Sequence, residues 1–364
     1  MEFNNLTIQN KLIRKSVIKK IDKIFDHGQY IMGPEVKKLE NELKNFSGAK
    51  YCVTCSNGTD AILMALMAIN VKPGDEVITS PFSFISATEM ILLLGAKPIF
   101  VDICEKTFNI NTYDLEKKIS KKTKAIIPIS LFGQCAELNE INQLAKRYKI
   151  TVIEDAAQSF GAKHYNKFSC NICDISTTSF FPSKPLGGYG DGGAIFTNNK
   201  KIYKKIASLR VHGQRKKYDH KYIGINGRMD TIQATIISEK LKKFKKEIVL
   251  RNKKADIYNI HLREINDIEI PYIEKYNRSV YAQYCIKAKN RDKLKKFLLE
   301  KNIPSVIYYP KLINRQSIIK SKYNFVKSSK VTKNILALPF NPYIHDKDIK
   351  KVSKFIRKFY EKKF

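Results

Sequence analysis

Strand-like and helix-like segments alternate from about residue 51 to residue 240 of this 364-residue chain. Apolar stretches such as DEVITS, KPIFV and ITVI are separated by segments with helical spacing, such as ELNEINQLAKRY. This alternation predicts an α/β fold with a mainly parallel sheet covered by helices. Ligands of such sheets bind outside the carboxyl ends of the strands. The residues that end each strand are therefore the first place to look for a functional site.

The pattern of the chain changes near residue 240. The segment KLKKFKKEIVLRNKKADIYNIHLREI is typical of a long, basic, amphipathic helix. An apolar strand (SVYAQYCIKA), a helix (RDKLKKFLLEKN) and a final basic helix follow it. We therefore predict two domains, a large one over residues 1–240 that includes an N-terminal arm, and a smaller α/β domain over residues 241–364.

The charge of the chain is strongly positive, since 67 Lys and Arg stand against 34 Asp and Glu, a formal net charge of +33. A surplus of this size can attract nucleic acid. The lysines are spread along the whole chain beside Asn and Ile, so we interpret the charge as compositional. Nucleic-acid binding is kept as an alternative hypothesis. With no apolar run near the roughly 20 residues that span a bilayer, and no signal-like N-terminus, we expect a cytoplasmic protein that contacts no membrane.

Four of the seven cysteines form two CxxC pairs, Cys52/Cys55 and Cys170/Cys173. A zinc ribbon places its second pair about 15–20 residues after the first. Here the two pairs are far apart along the chain, and neither has a histidine at ligand spacing. We predict no metal site and assign these cysteines to packing.

Two strand ends carry residues suited to an anionic, aromatic cofactor. Gly58 and Thr59 follow the short strand-like segment YCVT and begin a helix, whose N-terminal N–H groups can bind a phosphate. The same Asn-Gly pair is also an ordinary turn. Asp155 ends the apolar strand ITVIED, where a carboxylate needs a partner such as a protonated ring nitrogen. The alternative interpretation of Asp155 is that its side chain caps a helix.

Lys184 is distinguished from the other lysines by its surroundings. It follows the aromatic segment SFFPS and precedes GGYGDGG, in which five of seven residues are glycine. Such a run lets the backbone pack closely against a planar group. A lysine in an apolar pocket has a lowered pKa and can form a Schiff base. A glycine-rich surface turn is the alternative.

Two further segments contain possible ligand contacts. Phe84, in SPFSF, could lie on the face of a cofactor, although core packing also explains an aromatic residue there. Arg228, in NGRMD ahead of a helix that begins near Thr231, could hold a phosphate or carboxylate in two-point fashion.

Seven blocks in this order resemble the pyridoxal phosphate (PLP)-dependent sugar aminotransferases of the DegT/DnrJ/EryC1/StrS family. The resemblance runs from about Gly33 to the C-terminus and rests on GPEVKKLE, SNGTDAI, PFSFISA, EDAAQSFGA, SFFPSKPLGGYGDGGAIFTN, NGRMDTIQA and IYYP. It implies an aspartate-aminotransferase-like fold, PLP fold type I. It also implies transaminase activity, because relatives that dehydrate sugars have histidine at the position of Lys184.

The resemblance also implies roles for individual residues. Lys184 would hold PLP and shuttle a proton, Asp155 would pair with the ring nitrogen, and Gln158 would approach the 3-hydroxyl of the ring. The remaining cofactor contacts would be Gly58, Thr59 and Ser179 at the phosphate, Phe84 on the ring, and Asn226 at the phosphate of the neighbouring subunit. The last of these implies a homodimer with composite active sites.

The glycine-rich block is most similar to the branch of the family that aminates C3 of a sugar. The resemblance therefore implies L-glutamate as donor and a UDP-linked 3-keto-N-acetylglucosamine or its uronic acid as acceptor, in polysaccharide or lipopolysaccharide biosynthesis. A dTDP-linked 3-keto-6-deoxyhexose is the alternative acceptor. Arg228 and Tyr309 are the predicted substrate contacts.

Overall fold

The structure is a computed structural model that describes residues 1–319 and 323–361. In chain order its strands are β1 (Tyr51–Cys55), β2 (Glu76–Thr79), β3 (Lys97–Phe100), β4 (Thr123–Ile126), β5 (Thr151–Asp155), β6 (Lys163–His164), β7 (Lys167–Phe168), β8 (Ile175–Ser179), β9 (Gly193–Thr197), β10 (Gln214–Lys216), β11 (Asp219–His220), β12 (Ile268–Glu269), β13 (Asn277–Arg278), β14 (Tyr284–Ala288) and β15 (Ile335–Leu338). The α-helices are α1 (Thr7–His27), α2 (Pro34–Ser47), α3 (Gly58–Ala68), α4 (Ser86–Leu93), α5 (Thr112–Leu115), α6 (Leu138–Tyr148), α7 (Lys200–Leu209), α8 (Thr231–Leu262), α9 (Arg291–Glu300), α10 (Val326–Asn334) and α11 (Asp346–Glu361).

Seven of these strands form the central sheet, in the order β1-β9-β8-β5-β4-β2-β3. Strand β9 is antiparallel to both of its neighbours, and the other pairs are parallel. Helices α2, α6 and α8 pack on one face of the sheet, and α3, α4 and α7 pack on the other. The predicted α/β class with a mainly parallel sheet is confirmed.

Helix α8 is longer than the sequence pattern predicted. Its 32 residues form one continuous helix, so the predicted basic helix is only the later part of it. Ile237 and Phe244 pack in the core of the large sheet, whereas Tyr258 and Leu262 pack in a second core built on the sheet β12-β14-β15 with α9 and α11. The domain boundary at residues 240/241 lies inside this helix and stays a prediction.

The N-terminal arm contains a helix that the sequence analysis did not predict. Helix α1 places Ile13 and Val17 against Ile236 of α8. The buried apolar face of α1 is narrow, and the apolar residues Leu12, Ile18 and Phe25 lie outside it and are exposed. This narrow face and the many lysines of α1 explain why helical periodicity was not apparent there.

The parallel pairing brings several predicted residues to one edge of the sheet. Strands β5 and β8 end there at Asp155 and Ser179, and β1 leads there into α3. Residues 280–282 of the C-terminal part dock against this edge, since the Ala282 N–H donates to the Phe132 carbonyl over 3.0 Å. The predicted site residues at this edge therefore lie between the central sheet and the C-terminal part of the chain.

Within the described ranges, no helix is long and apolar enough to cross a membrane. Nor do the described residues contain a group of three or more His, Cys, Asp or Glu that could hold a metal ion. All seven cysteines are free, and both CxxC pairs are buried. Burial raises the pKa of the Cys52 and Cys170 thiols, so these groups stay protonated and pack as small apolar side chains.

Candidate active site

A cavity of about 580 Å³ opens at the carboxyl edge of the central sheet. The volume lies within the roughly 300–1,000 Å³ that is typical of small-molecule sites. Eight of the ten residues predicted for the site line this cavity: Gly58, Thr59, Phe84, Asp155, Gln158, Ser179, Lys184 and Tyr309. The other two, Asn226 and Arg228, do not line it.

The N-terminus of helix α3 forms one end of the cavity. Asn57 caps the helix by accepting from the Asp60 N–H over 2.8 Å. The N–H groups of Gly58 and Thr59 precede the first intrahelical bonds and can bind an anion. A Cβ on Gly58 would lie 2.7 Å from the Ser179 side chain, so only glycine allows α3 to approach β8 this closely. The result is a narrow cradle with N–H and hydroxyl donors.

Asp155 lines the cavity and is 6% exposed. Its Oδ1 accepts from the Ala157 N–H over 3.0 Å. Burial raises the pKa of the Asp155 carboxyl, while this hydrogen bond and the charge of Lys184 act in the opposite direction. A buried carboxylate of this kind is stabilised by a cationic ligand.

The adjacent carboxylate, Glu154, has a different environment. Successive side chains of a strand point to opposite faces of the sheet, so Glu154 points away from Asp155. Its carboxylate accepts from the Cys170 N–H over 2.9 Å and from three serine hydroxyls within 3.1 Å, those of Ser130, Ser169 and Ser176. Burial raises the pKa of this carboxyl. Through these hydrogen bonds Glu154 links β5 to the segments that carry the three serines, and its carboxylate does not face the cavity.

We expect Glu154→Gln to lower the free energy of unfolding by about 1–3 kcal/mol, because the new NH₂ group must face donors that have lost their acceptor. The matched control is Glu300→Gln, at the exposed end of α9. Denaturant midpoints of both variants provide the measurement. Equal midpoints for the two variants would show that the four hydrogen bonds add no net stability.

Lys184 lies in the loop that follows β8. Its N–H donates to the Phe181 carbonyl over 2.9 Å, and the Gly188 N–H donates to the Phe180 carbonyl over 2.7 Å. A Cβ on Gly187 would lie 2.4 Å from the Pro182 carbonyl oxygen, so the loop folds back on itself only with glycine there. Burial lowers the pKa of the Lys184 amine, and the carboxylate of Asp155 opposes this shift. A lowered pKa favours the neutral, nucleophilic amine.

Two aromatic residues and an amide complete the predicted lining. Phe84 is 59% exposed at the cavity, so one face of its ring is free to stack on a planar ligand. Gln158 and Tyr309 are hydrogen-bonded to each other, Nε2 to Oη, over 3.1 Å. Tyr309, predicted as a substrate contact, therefore lies beside a residue predicted to contact the cofactor.

Asn226 and Arg228 lie on a loop beside the phosphate cradle. The Ser56 N–H donates to the Gly227 carbonyl over 3.0 Å, which fixes the loop next to the start of α3. The side chain of Asn226 is exposed. The buried Nε of Arg228 has no hydrogen-bond partner among the described residues. Both side chains are thus placed beside the cavity without entering it.

Two cavity residues from the C-terminal part were missed by the sequence analysis. Gln283 and Tyr308 both line the cavity. The buried Oε1 of Gln283 has no hydrogen-bond partner in the described part of the chain, and an unsatisfied buried acceptor costs about 1–3 kcal/mol. Tyr308 belongs to the IYYP block and could have been found there. Gln283 has no distinguishing sequence pattern.

The sequence matches the DegT/DnrJ/EryC1/StrS aminotransferase family over residues 11–357. It is 46% identical over 351 residues to the UDP-2-acetamido-2-deoxy-3-oxo-D-glucuronate aminotransferase of Pseudomonas aeruginosa, which covers 96% of this chain and 98% of that protein. It is 34% identical to the UDP-N-acetyl-3-dehydro-alpha-D-glucosamine 3-aminotransferase of Acidithiobacillus ferrooxidans, over 95% of this chain and 94% of that protein. The crystal structure of a DegT DnrJ EryC1 StrS aminotransferase from Brucella abortus superposes with a TM-score of 0.96 at 38% identity, and the match covers 100% of both chains.

The central sheet and its helices, together with these similarities, define an aminotransferase of PLP fold type I. The chain belongs to the DegT/DnrJ/EryC1/StrS aminotransferase family. The predicted family, enzyme class and cofactor are thereby confirmed. PLP is the cofactor of this enzyme.

The residues at the cavity fit PLP in charge and shape. The cradle at Gly58 offers N–H donors to a phosphate, and a Cβ there would fill it. Asp155 supplies a buried carboxylate for a protonated ring nitrogen, and Lys184 supplies an amine with a lowered pKa. Bound PLP supplies an electron sink for a carbanion at the carbon that bears the amino group.

Proposed function

We propose that this enzyme transfers the amino group of L-glutamate to C3 of a UDP-linked 3-keto-N-acetylglucosamine or its uronic acid. The observation that carries the proposal is the placement of Lys184 and Asp155 on one cavity. The names of the two relatives described above support the sugar class, since both are aminotransferases of UDP-linked 3-oxo sugars. We further propose a cytoplasmic location, because free thiols persist in reducing compartments.

In this proposal the predicted cavity residues have the following roles. Lys184 would hold the cofactor and, with its amine free, would take a proton from the donor α-carbon at Nζ. Asp155 keeps the ring nitrogen protonated. Gln158 approaches the ring oxygen, Phe84 covers one ring face, and the phosphate is held by Gly58, Thr59 and Ser179.

The acceptor is tested by offering L-glutamate with UDP- and dTDP-linked 3-keto and 4-keto sugars, generated in place by a dehydrogenase or isomerase. Mass spectrometry identifies the aminated product. We expect UDP-linked 3-keto sugars to be aminated at least about tenfold faster than dTDP-linked ones, which corresponds to roughly 1.4 kcal/mol of discrimination. Faster amination of a dTDP-linked 3-keto-6-deoxyhexose would instead establish the alternative substrate.

Because Arg228 does not line the cavity of its own chain, we propose that it binds the carboxylate of a uronic acid acceptor held in the cavity of the neighbouring subunit. Its buried Nε lacks a partner, and a guanidinium binds a carboxylate in two-point fashion. Arg228→Met should lower kcat/KM for the uronic acid by about 10–100-fold, since a charged hydrogen bond contributes about 1.5–3 kcal/mol. The neutral N-acetylglucosamine substrate is the internal control and should lose less than about threefold. Equal losses for both sugars would contradict this role.

We propose that the enzyme is a homodimer in which Asn226 reaches the phosphate of the cofactor in the partner subunit. Its exposed side chain and the exposed apolar residues Tyr30 and Ile31, whose backbone pairs with Asp230 and Thr231, support such an interface. Asn226→Asp should weaken cofactor binding at least about tenfold, because it would place a carboxylate beside a phosphate. Equilibrium dialysis measures the affinity, and Asn198→Asp, at an exposed position after β9, is the control. An unchanged affinity would contradict the composite site.

A further inference from the structure

The buried amide of Gln158 is held between two partners. The Phe132 N–H donates to Gln158 Oε1 over 2.9 Å, and Gln158 Nε2 donates to Tyr309 Oη over 3.1 Å. A backbone N–H can only donate, so Oε1 must face Phe132 and the NH₂ group must face Tyr309. The orientation of this amide is therefore fixed by the chain itself.

The positions of both partners of the Gln158 amide, Phe132 and Tyr309, depend on the C-terminal part of the chain. Tyr309 belongs to it, and the carbonyls of Phe132 and Gly133 accept from the Ala282 and Val280 N–H groups over 3.0 and 2.9 Å. Gly133 has φ 108°, and a Cβ there would lie 2.6 Å from the Ala282 nitrogen. This close backbone contact places Phe132, and with it the acceptor side of the Gln158 amide.

The surroundings of Tyr309 hold its hydroxyl in place. Its ring packs edge-on against Phe82, with centroids 5.9 Å apart at 78°. Burial raises the pKa of the Tyr309 hydroxyl, so the group stays neutral at physiological pH. A neutral hydroxyl can accept from Gln158 without placing a charge beside Asp155.

We propose that Tyr309 is a positioning residue that holds the Gln158 amide so that its second N–H faces the cavity and the ring oxygen of bound PLP. The proposal rests on the proposed function, in which Gln158 approaches that oxygen. It replaces the predicted role of Tyr309 as a substrate contact. A donor aimed at the ring oxygen stabilises its anionic form and makes the nearby proton of the lysine-bound chromophore easier to lose.

The test is a pH titration of the absorbance of the cofactor-loaded enzyme. Tyr309→Phe should raise the apparent pKa of the chromophore by about 0.5–1 unit, because the Gln158 amide is no longer held toward the ring oxygen. Tyr258→Phe is the matched control, since it removes a buried, hydrogen-bonded hydroxyl from a tyrosine that does not line the cavity, and should shift the pKa by less than about 0.2 unit. Equal shifts in the two variants would overturn the proposal.

A double-mutant cycle separates positioning from direct contact. If Tyr309 acts through Gln158, Tyr309→Phe should cause no further pKa shift in a Gln158→Met background. Where Gln158→Met does not load with cofactor, Gln158→Ala provides the same comparison, because it also removes the amide that contacts Tyr309 and introduces no new hydrogen-bonding group. A shift of full size in either background would show that the hydroxyl acts without Gln158, which overturns the proposal.

Three other outcomes can be distinguished. Tyr309→Phe with an unshifted chromophore and a KM for the nucleotide sugar raised several-fold would restore the substrate-contact role and refute positioning. Wild-type enzyme that forms no lysine-bound chromophore would refute the proposed function itself. A chromophore in the wild type with no shift in Tyr309→Phe would refute only the role of Tyr309.

Discussion

Lys184→Ala should abolish the lysine-bound chromophore and lower the rate of amino transfer by at least about 10⁴-fold. The substitution removes both the amine that holds the cofactor and the base that moves the proton of the donor, and proton transfer by a positioned side chain alone contributes about 10²–10⁴-fold. The near-visible absorbance after incubation with PLP, and its loss on borohydride treatment of the wild type, measure the first effect. Single-turnover kinetics measure the second.

Two controls make the result specific to this lysine. Lys184→Arg keeps the positive charge in the cavity but cannot form an imine, so it should behave like Lys184→Ala. Lys201→Ala removes an exposed lysine from α7 and should leave absorbance and rate unchanged. A borohydride-sensitive band that persists in Lys184→Ala would mean that a different lysine holds the cofactor.

The sequence predicted the architecture of the site because parallel strands place their carboxyl ends at one edge. Asp155 and Ser179 end neighbouring strands, and the start of α3 follows β1, so proximity in space follows from the order of the elements. The different roles of Glu154 and Asp155 also follow from the alternation of side chains along a strand. Three serines and a backbone N–H, contributed by distant segments, meet Glu154 and explain how its carboxylate is accommodated.

The contributions of the C-terminal part could not be predicted in the same way. Gln283 lines the cavity next to residues 280–282, which dock on the loop at Phe132 and Gly133. Tyr309 is predicted only through the family resemblance. The docking of residues 280–282 depends on backbone hydrogen bonds, which leave no side-chain pattern in the sequence. The full length of α8 could not be predicted from the sequence for a related reason. Its buried face changes from one core to the other along its length, so it has no continuous apolar stripe.

The second large effect is expected at Asp155. Asp155→Asn should leave the chromophore attached to Lys184 but lower kcat by about 10²–10³-fold, the loss that follows removal of one preorganised electrostatic group from an active site. An amide carries no charge to keep the ring nitrogen protonated, and an unprotonated ring is a weaker electron sink. Cofactor absorbance and steady-state kinetics, measured on the same preparation, separate binding from chemistry.

The control for Asp155→Asn is the neighbouring substitution Glu154→Gln. Both convert a buried carboxylate of strand β5 to an amide, and only Asp155 faces the cavity. We therefore expect Glu154→Gln to lower stability while kcat per folded, loaded enzyme stays within about threefold of the wild type, since that amide contacts neither cofactor nor substrate. Asp155→Glu, which restores the charge on a longer side chain, should recover part of the lost rate. If Asp155→Asn keeps more than about a tenth of the wild-type kcat, the ring nitrogen does not depend on this carboxylate for its charge.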